Sequence, residues 1–183
     1  MNLAKAHAPA AAVSALWISV MAAVSIASTL VLACAMPFEA LAAFAALHFG
    51  RRDGIWLTAL CWAANQAIGF GLLHYPVEFT SLAWSPGLLL AALAALGAAR
   101  SVAGRLARWQ AWVRAPAALA VAFVAFKAVV LVFALMLGGV STTLSPYYSA
   151  VQIVTDSAFL LAFLALHAML RRLGAPRLIP AAA

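Results

Sequence analysis

Arg100-Ser101-Val102-Ala103-Gly104-Arg105-Leu106-Ala107-Arg108-Trp109-Gln110-Ala111-Trp112-Val113-Arg114 is the stretch on which the fold turns. It sets four arginines between two apolar runs, about 84–99 and 117–138, the second of which is long enough to cross a hydrocarbon core of ~30 Å. A basic cluster between two such runs marks a loop retained on the cytoplasmic side. Working outward, Lys5 precedes the first apolar run, Arg51 and Arg52 follow the second, and Arg171, Arg172 and Arg177 follow the sixth. The gaps near residue 36, at 74–83 and at 139–148 contain no Lys or Arg. Ten of the eleven basic residues therefore fit one alternation. It predicts an all-α integral membrane protein with six transmembrane helices, both termini inside, at about 12–35, 38–50, 55–73, 84–99, 117–138 and 149–170.

Composition agrees. The 183 residues are 68% hydrophobic and 8% charged, with a mean hydropathy of +1.08. A soluble globule carries about a quarter charged residues, so the expected surroundings are a lipid bilayer, a bacterial-type cytoplasmic (inner) membrane, with residues 1–183 as one membrane domain. The net charge of +7 is absorbed by the loop arginines and does not call for nucleic acid as a partner. Cys34 and Cys61 lie in apolar runs without CxxC spacing, so neither a disulfide framework nor a zinc site is expected. Ala33-Cys34-Ala35 resembles a cleavage site, but the run before it exceeds the ~7–15 residues of a signal-peptide core, and five more apolar runs follow.

Several segments are irregular. Pro37 suits the start of the second helix, with Glu39 near the positive end of its dipole. That helix, at 13 residues over 38–50, reaches only ~20 Å, so it reads as a short, recessed span. Asp53-Gly54 is expected to make the following turn. Val102, Leu106, Trp109 and Val113 recur at helical spacing opposite the arginines, which predicts a separate short cytoplasmic interfacial helix at about 100–114.

Ionisable groups inside a bilayer are costly and mark candidate sites. Lys127 and Asp156 sit at depths differing by roughly 6 Å at 1.5 Å per residue, which the flexible lysine stem can bridge as a buried ion pair. Both could equally line a polar cavity open to the outside. Cys61, Trp62, Asn65 and Gln66 share a face of the third helix. Together with Glu39, His74, Tyr75, Tyr147, Gln152 and Asp156 they make the predicted substrate-binding set, most of it mapping to the outer half. The competing reading is that the amides hold helices together. Ala11, Ala15, Ser19, Ala23 and Ala27 recur every four residues on the first helix, a small-residue ridge fit for close helix contact within the protein or with a partner. GxSxG, HExxH and phosphate-binding glycine loops do not occur, so an enzyme is not expected, nor a cofactor. Cys61 reads as an inert buried thiol, since nothing basic nearby favours its thiolate.

The run Met36-Pro37-Phe38-Glu39, the turn Gly50-Arg51-Arg52-Asp53-Gly54 and Gly69-Phe70-Gly71 resemble the membrane-embedded S-components of energy-coupling factor vitamin transporters. The pairs Ala11-Ala15 and Ala23-Ala27 look like that family's AxxxA motif. The resemblance covers length, topology and the first half of the chain. It implies a capture subunit for a vitamin or its precursor, bound in the outer half. It also implies docking to an energy-coupling transmembrane subunit and its ATPases through the first helix. Solitary members of that kind handle cobalamin, and a helix 3 cysteine can ligate cobalt there, so the resemblance gives Cys61 as a possible cobalt ligand to a corrinoid, with no intrinsic metal. The alternative function is a small membrane scaffold or assembly protein with no transported substrate.

Overall fold

A computed structural model describes residues 10–31 and 36–173, with side chains described for 13–27 and 36–173. Lys5 and Arg177 lie outside the described residues, as do the end of the first predicted helix at 32–35 and the side chain of Ala11.

The described chain is all helical: α1 (Ala10–Val31), α2 (Phe38–His48), α3 (Arg51–Gly71), α4 (Phe79–Arg105), α5 (Ala111–Leu137), α6 (Val140–Thr143) and α7 (Pro146–Arg172). Among the described residues, α4, α5 and α7 are long and apolar enough to cross a membrane. Each has 27 residues and so extends about 40 Å. Val13–Ala27 and Phe38–His48 are shorter apolar helical stretches. These features mark the chain as a membrane protein.

α2 organises the bundle. Its 11 residues reach only about 16 Å, and every residue from Phe38 to Ala45 is buried. It packs against α3, α4, α5 and α7. Alanines at 40, 42, 43 and 45 let those neighbours approach its backbone closely, as small residues do in membrane helix packing. The same device joins α4 to α5. Ala91, Ala95, Ala99 and Ala103 form one buried row on α4, and Ala115, Ala118 and Ala122 are buried on α5. Gly87 extends that seam, since a Cβ there would fall 2.7 Å from the Phe133 ring.

The α2–α3 corner corrects one expectation. Arg51 to Gly54 are the first turn of α3 and not a turn between helices. The chain reverses at Phe49-Gly50, both extended. Asp53 favours the helical start because its charge opposes the dipole. Gly54 has a different role: its missing side chain leaves room for the guanidinium of Arg100, which would have to shift from a Cβ there. That guanidinium donates to Phe49 O at 3.2 Å and Gly50 O at 2.6 Å. Replacing Arg100 by Met, which keeps the stem but removes charge-assisted bonds to these carbonyls, is expected to lower unfolding free energy by about 1.5–3 kcal/mol. Thermal unfolding in detergent measures it, and an unchanged midpoint would assign the corner to packing alone.

The separate helix expected over 100–114 does not form. Residues 100–105 continue α4, 106–110 turn, and α5 starts at Ala111. The apolar spacing arises because Val102 and Leu106 close one helix while Val113 opens the next, each half-buried, and Trp109 is exposed. Gly104 near the end of α4 weakens helix continuation, and Leu106 and Ala107 close back on Val102 O and Gly104 O.

Arg100 at the α2–α3 corner, His48 beside His167 with ring centroids 4.5 Å apart, and His48 with Arg114 on one cleft wall bring three basic segments to one end. At the other end α5 closes on Gly138 and Gly139, both at positive φ (93° and 100°), which glycine alone adopts without strain. One turn of α6 follows, and Pro146 opens α7 with the fixed φ suited to a first turn.

A polar cavity between α2, α5 and α7

A cavity of about 410 Å³ lies at the end opposite the basic segments. Its walls come from the start of α2, the middle of α3, the C-terminal half of α5, the N-terminal half of α7, and α6. Each polar residue arrives there for a local reason. Pro37 starts α2, which sets Glu39 in its first turn. On α7, Tyr148, Gln152 and Asp156 are spaced by four and line up on one face, and all three line the cavity. Asn65 belongs to the buried face of α3 with Leu57, Cys61 and Ile68, and is the residue of that face that reaches the cavity.

Glu39 and Asp156 are each 1% exposed. Gln152 donates its amide N–H to Glu39 Oε1, and Asp156 and Lys127 are the charged neighbours of Glu39. The Ala40 amide and the Glu39 carboxyl stand near Asp156, yet neither Asp156 oxygen completes a well-formed hydrogen bond. Asn65 Oδ1 is also buried and without a partner. Phe38 and Phe126, ring centroids 6.2 Å apart and nearly parallel, form the apolar wall with Leu88, Val130 and Val151.

The expected Lys127–Asp156 ion pair is not made. Lys127 Nζ donates to Thr143 O at 3.3 Å and lies 5.7 Å from the Phe123 ring centroid. Snorkelling carries the ammonium along the helix toward the α5–α7 connection, where a backbone carbonyl receives it, and the carboxyl group is left to the cavity.

Of the predicted substrate-binding residues, Glu39, Asn65, Gln152 and Asp156 meet in the cavity. The others are elsewhere. Trp62 Nε1 donates to Ser85 O at 2.8 Å, and Gln66 Oε1 accepts from Ser85 Oγ at 2.8 Å, so both join α3 to α4 as the glue reading has it. Cys61 is 0% exposed, contacts Ser25 of α1 and is not among the residues lining the cavity, so it is not placed as a cobalt ligand there. His74, at φ 53°, and Tyr75 belong to the exposed loop after α3. The Tyr75 amide bonds to Gly69 O and its ring lies over Gly69, so the loop folds back on α3. Tyr147 is 70% exposed; its neighbour Tyr148 takes the place expected of it. Phe38, Phe126 and Thr143 were not anticipated. The signal for the two phenylalanines was adjacency to Glu39 and Lys127, since an aromatic beside an intramembrane charge can wall the same space.

A second cleft, about 630 Å³, lies at the basic end between α2, α5 and α7. Its walls are mainly aliphatic, with Leu119, Leu160, Leu161 and Leu164 prominent. Small-molecule sites combine an apolar wall with a few convergent polar groups, which the smaller cavity supplies. On α1, Ala15, Ser19, Ala23 and Ala27 are exposed, while Trp17, Met21 and Ser25 are buried. The small-residue ridge thus faces away from the bundle. No protein-family model, curated protein or solved structure matches the chain.

Proposed function

We propose that this protein is the substrate-capture subunit of an uptake system in a bacterial-type inner membrane. It binds a vitamin-like small molecule in the cavity of Glu39, Asn65, Gln152 and Asp156. The observation that carries the reading is that cavity: four of its polar side chains converge, two are buried with unfilled acceptors, and it lies at the end away from the basic segments. With those segments cytoplasmic, as the positive-inside rule has it, the six-helix, both-termini-inside arrangement puts the cavity on the outer side. The exposed ridge at Ala15, Ser19, Ala23 and Ala27 supplies the docking face for an energy-coupling transmembrane subunit and its ATPases. The resemblance to energy-coupling factor S-components supports the same assignment.

A corrinoid is not retained as the favoured cargo. About 410 Å³ encloses only a part of so large a macrocycle, and Cys61 does not line the space. A membrane scaffold would need no cavity with unfilled acceptors, which is why capture is preferred over it.

The test is a screen of vitamins and their precursors against the purified full chain in detergent. A true ligand at 100 times its dissociation constant adds about 2.7 kcal/mol to stability, read as a rise in thermal midpoint. Gln152→Trp, which fills the cavity, should abolish the rise. If a stabilising compound keeps its effect in that variant, the site is elsewhere.

A further inference from the structure

We infer that the cavity recognises a small organic cation, an ammonium- or amidinium-bearing molecule with an apolar body, through the unfilled oxygens of Asp156 and Asn65. The inference rests on the capture reading and narrows its ligand by charge. Three observations carry it. The buried, unpartnered polar atoms in the cavity wall are Asn65 Oδ1 and both Asp156 oxygens. All are acceptors, and each unfilled acceptor in a buried site is costly until a donor arrives. The nearest donors are bonded to other groups and not to these acceptors: Lys127 Nζ reaches Thr143 O, and the Gln152 amide reaches Glu39.

The carboxyl groups of Glu39 and Asp156 both line the wall, so an anionic ligand would meet their oxygens. Phe126 and Tyr148 are also in the wall, and aromatic rings attract a cation placed over them. A bare metal ion does not suit the space. Among the described residues no group of three His, Cys, Asp or Glu converges to hold one, and the volume is that of an organic molecule.

The test uses the full chain in detergent and four probes of similar size and different charge: phenethylammonium, benzamidinium, phenethyl alcohol and hydrocinnamate. Thermal unfolding and tryptophan fluorescence report binding. The two cations should bind, with affinity at least about tenfold above the alcohol, and the carboxylate should not. Asp156→Asn should weaken the cations about tenfold or more and leave the alcohol unchanged. Because that variant touches a buried group, Asn65→Asp provides an independent arm: one more acidic oxygen pair should strengthen cation binding several-fold. Preference for the alcohol or the carboxylate overturns the cation assignment and leaves capture standing. If none of the four binds and the vitamin screen is also silent, both readings fail. If the cations alone are silent while an uncharged or anionic vitamin binds, only the charge assignment fails.

Discussion

Asp156→Asn is expected to raise the thermal midpoint of the empty protein and, in the same molecule, to remove stabilisation by ligand. The two effects have opposite signs for one reason. A carboxyl group that is 1% exposed with both oxygens unfilled is carried at a cost, of order 1–3 kcal/mol for an unsatisfied buried group. The asparagine amide is neutral and can donate to Glu39, so roughly 1–2 kcal/mol of that cost should be recovered. The ligand then loses its principal acceptor, and the gain of about 2.7 kcal/mol at 100 times the dissociation constant should vanish. Sites that hold a ligand commonly trade stability for it. If instead the variant melts lower and ligand still protects it, Asp156 serves as a structural partner for the Ala40 amide at the start of α2. The pair of midpoints, with and without ligand, separates these outcomes.

What could be read from the sequence followed what each signal encodes. Apolar run length and the distribution of arginines are averaged over many residues, and α1, α2, α3, α4, α5 and α7 overlap the predicted runs, although α4 extends well beyond 84–99 at both ends and α5 begins before 117. Helix ends depend on single residues and were less legible. Gly54 looked like a turn residue, yet its missing side chain accommodates Arg100. The arginines of 100–114 share one flank of an apolar pattern, yet the pattern spans two helix ends. Glu39 and Asp156 were identifiable because charge inside an apolar run is rare whatever its surroundings. At Lys127 the cause is geometric: depth along a helix does not fix direction around it, and the stem meets Thr143 O rather than Asp156. Tyr147 and Tyr148 show the same limit, since one residue is a rotation of about 100° on a helix. Only α7 packed against its neighbours tells which ring turns inward. Trp62 and Gln66 were on a legible polar stripe, but whether such residues bind ligand or Ser85 depends on where α4 lies.

The second large effect is expected at the α1 ridge, where Ala23→Leu should stop uptake while leaving both stability and ligand binding as they are. Ala23 is exposed on the face of α1 turned away from Trp17 and Met21, so a larger side chain meets no neighbour in the protein itself. Its midpoint should stay within about 0.5 kcal/mol of the parent, as for substitutions away from packed features. A coupling helix seated on small residues cannot tolerate the added atoms, because close backbone approach is what those residues permit. Uptake of the ligand identified in the screen, measured in cells carrying the proposed coupling subunit and ATPases, should then fall to background, while binding to the purified variant is unaltered. Ala95→Leu is the matched control. Ala95 is fully buried in the α4 row of Ala91, Ala95, Ala99 and Ala103, and overpacking there should cost about 1–3 kcal/mol and lower the midpoint. Two alanine-to-leucine changes on two helices thus distinguish a seam inside the bundle from a face offered to another protein. Unimpaired uptake by Ala23→Leu would place the coupling surface on a different helix, and a lowered midpoint would mean that the ridge packs within the protein after all.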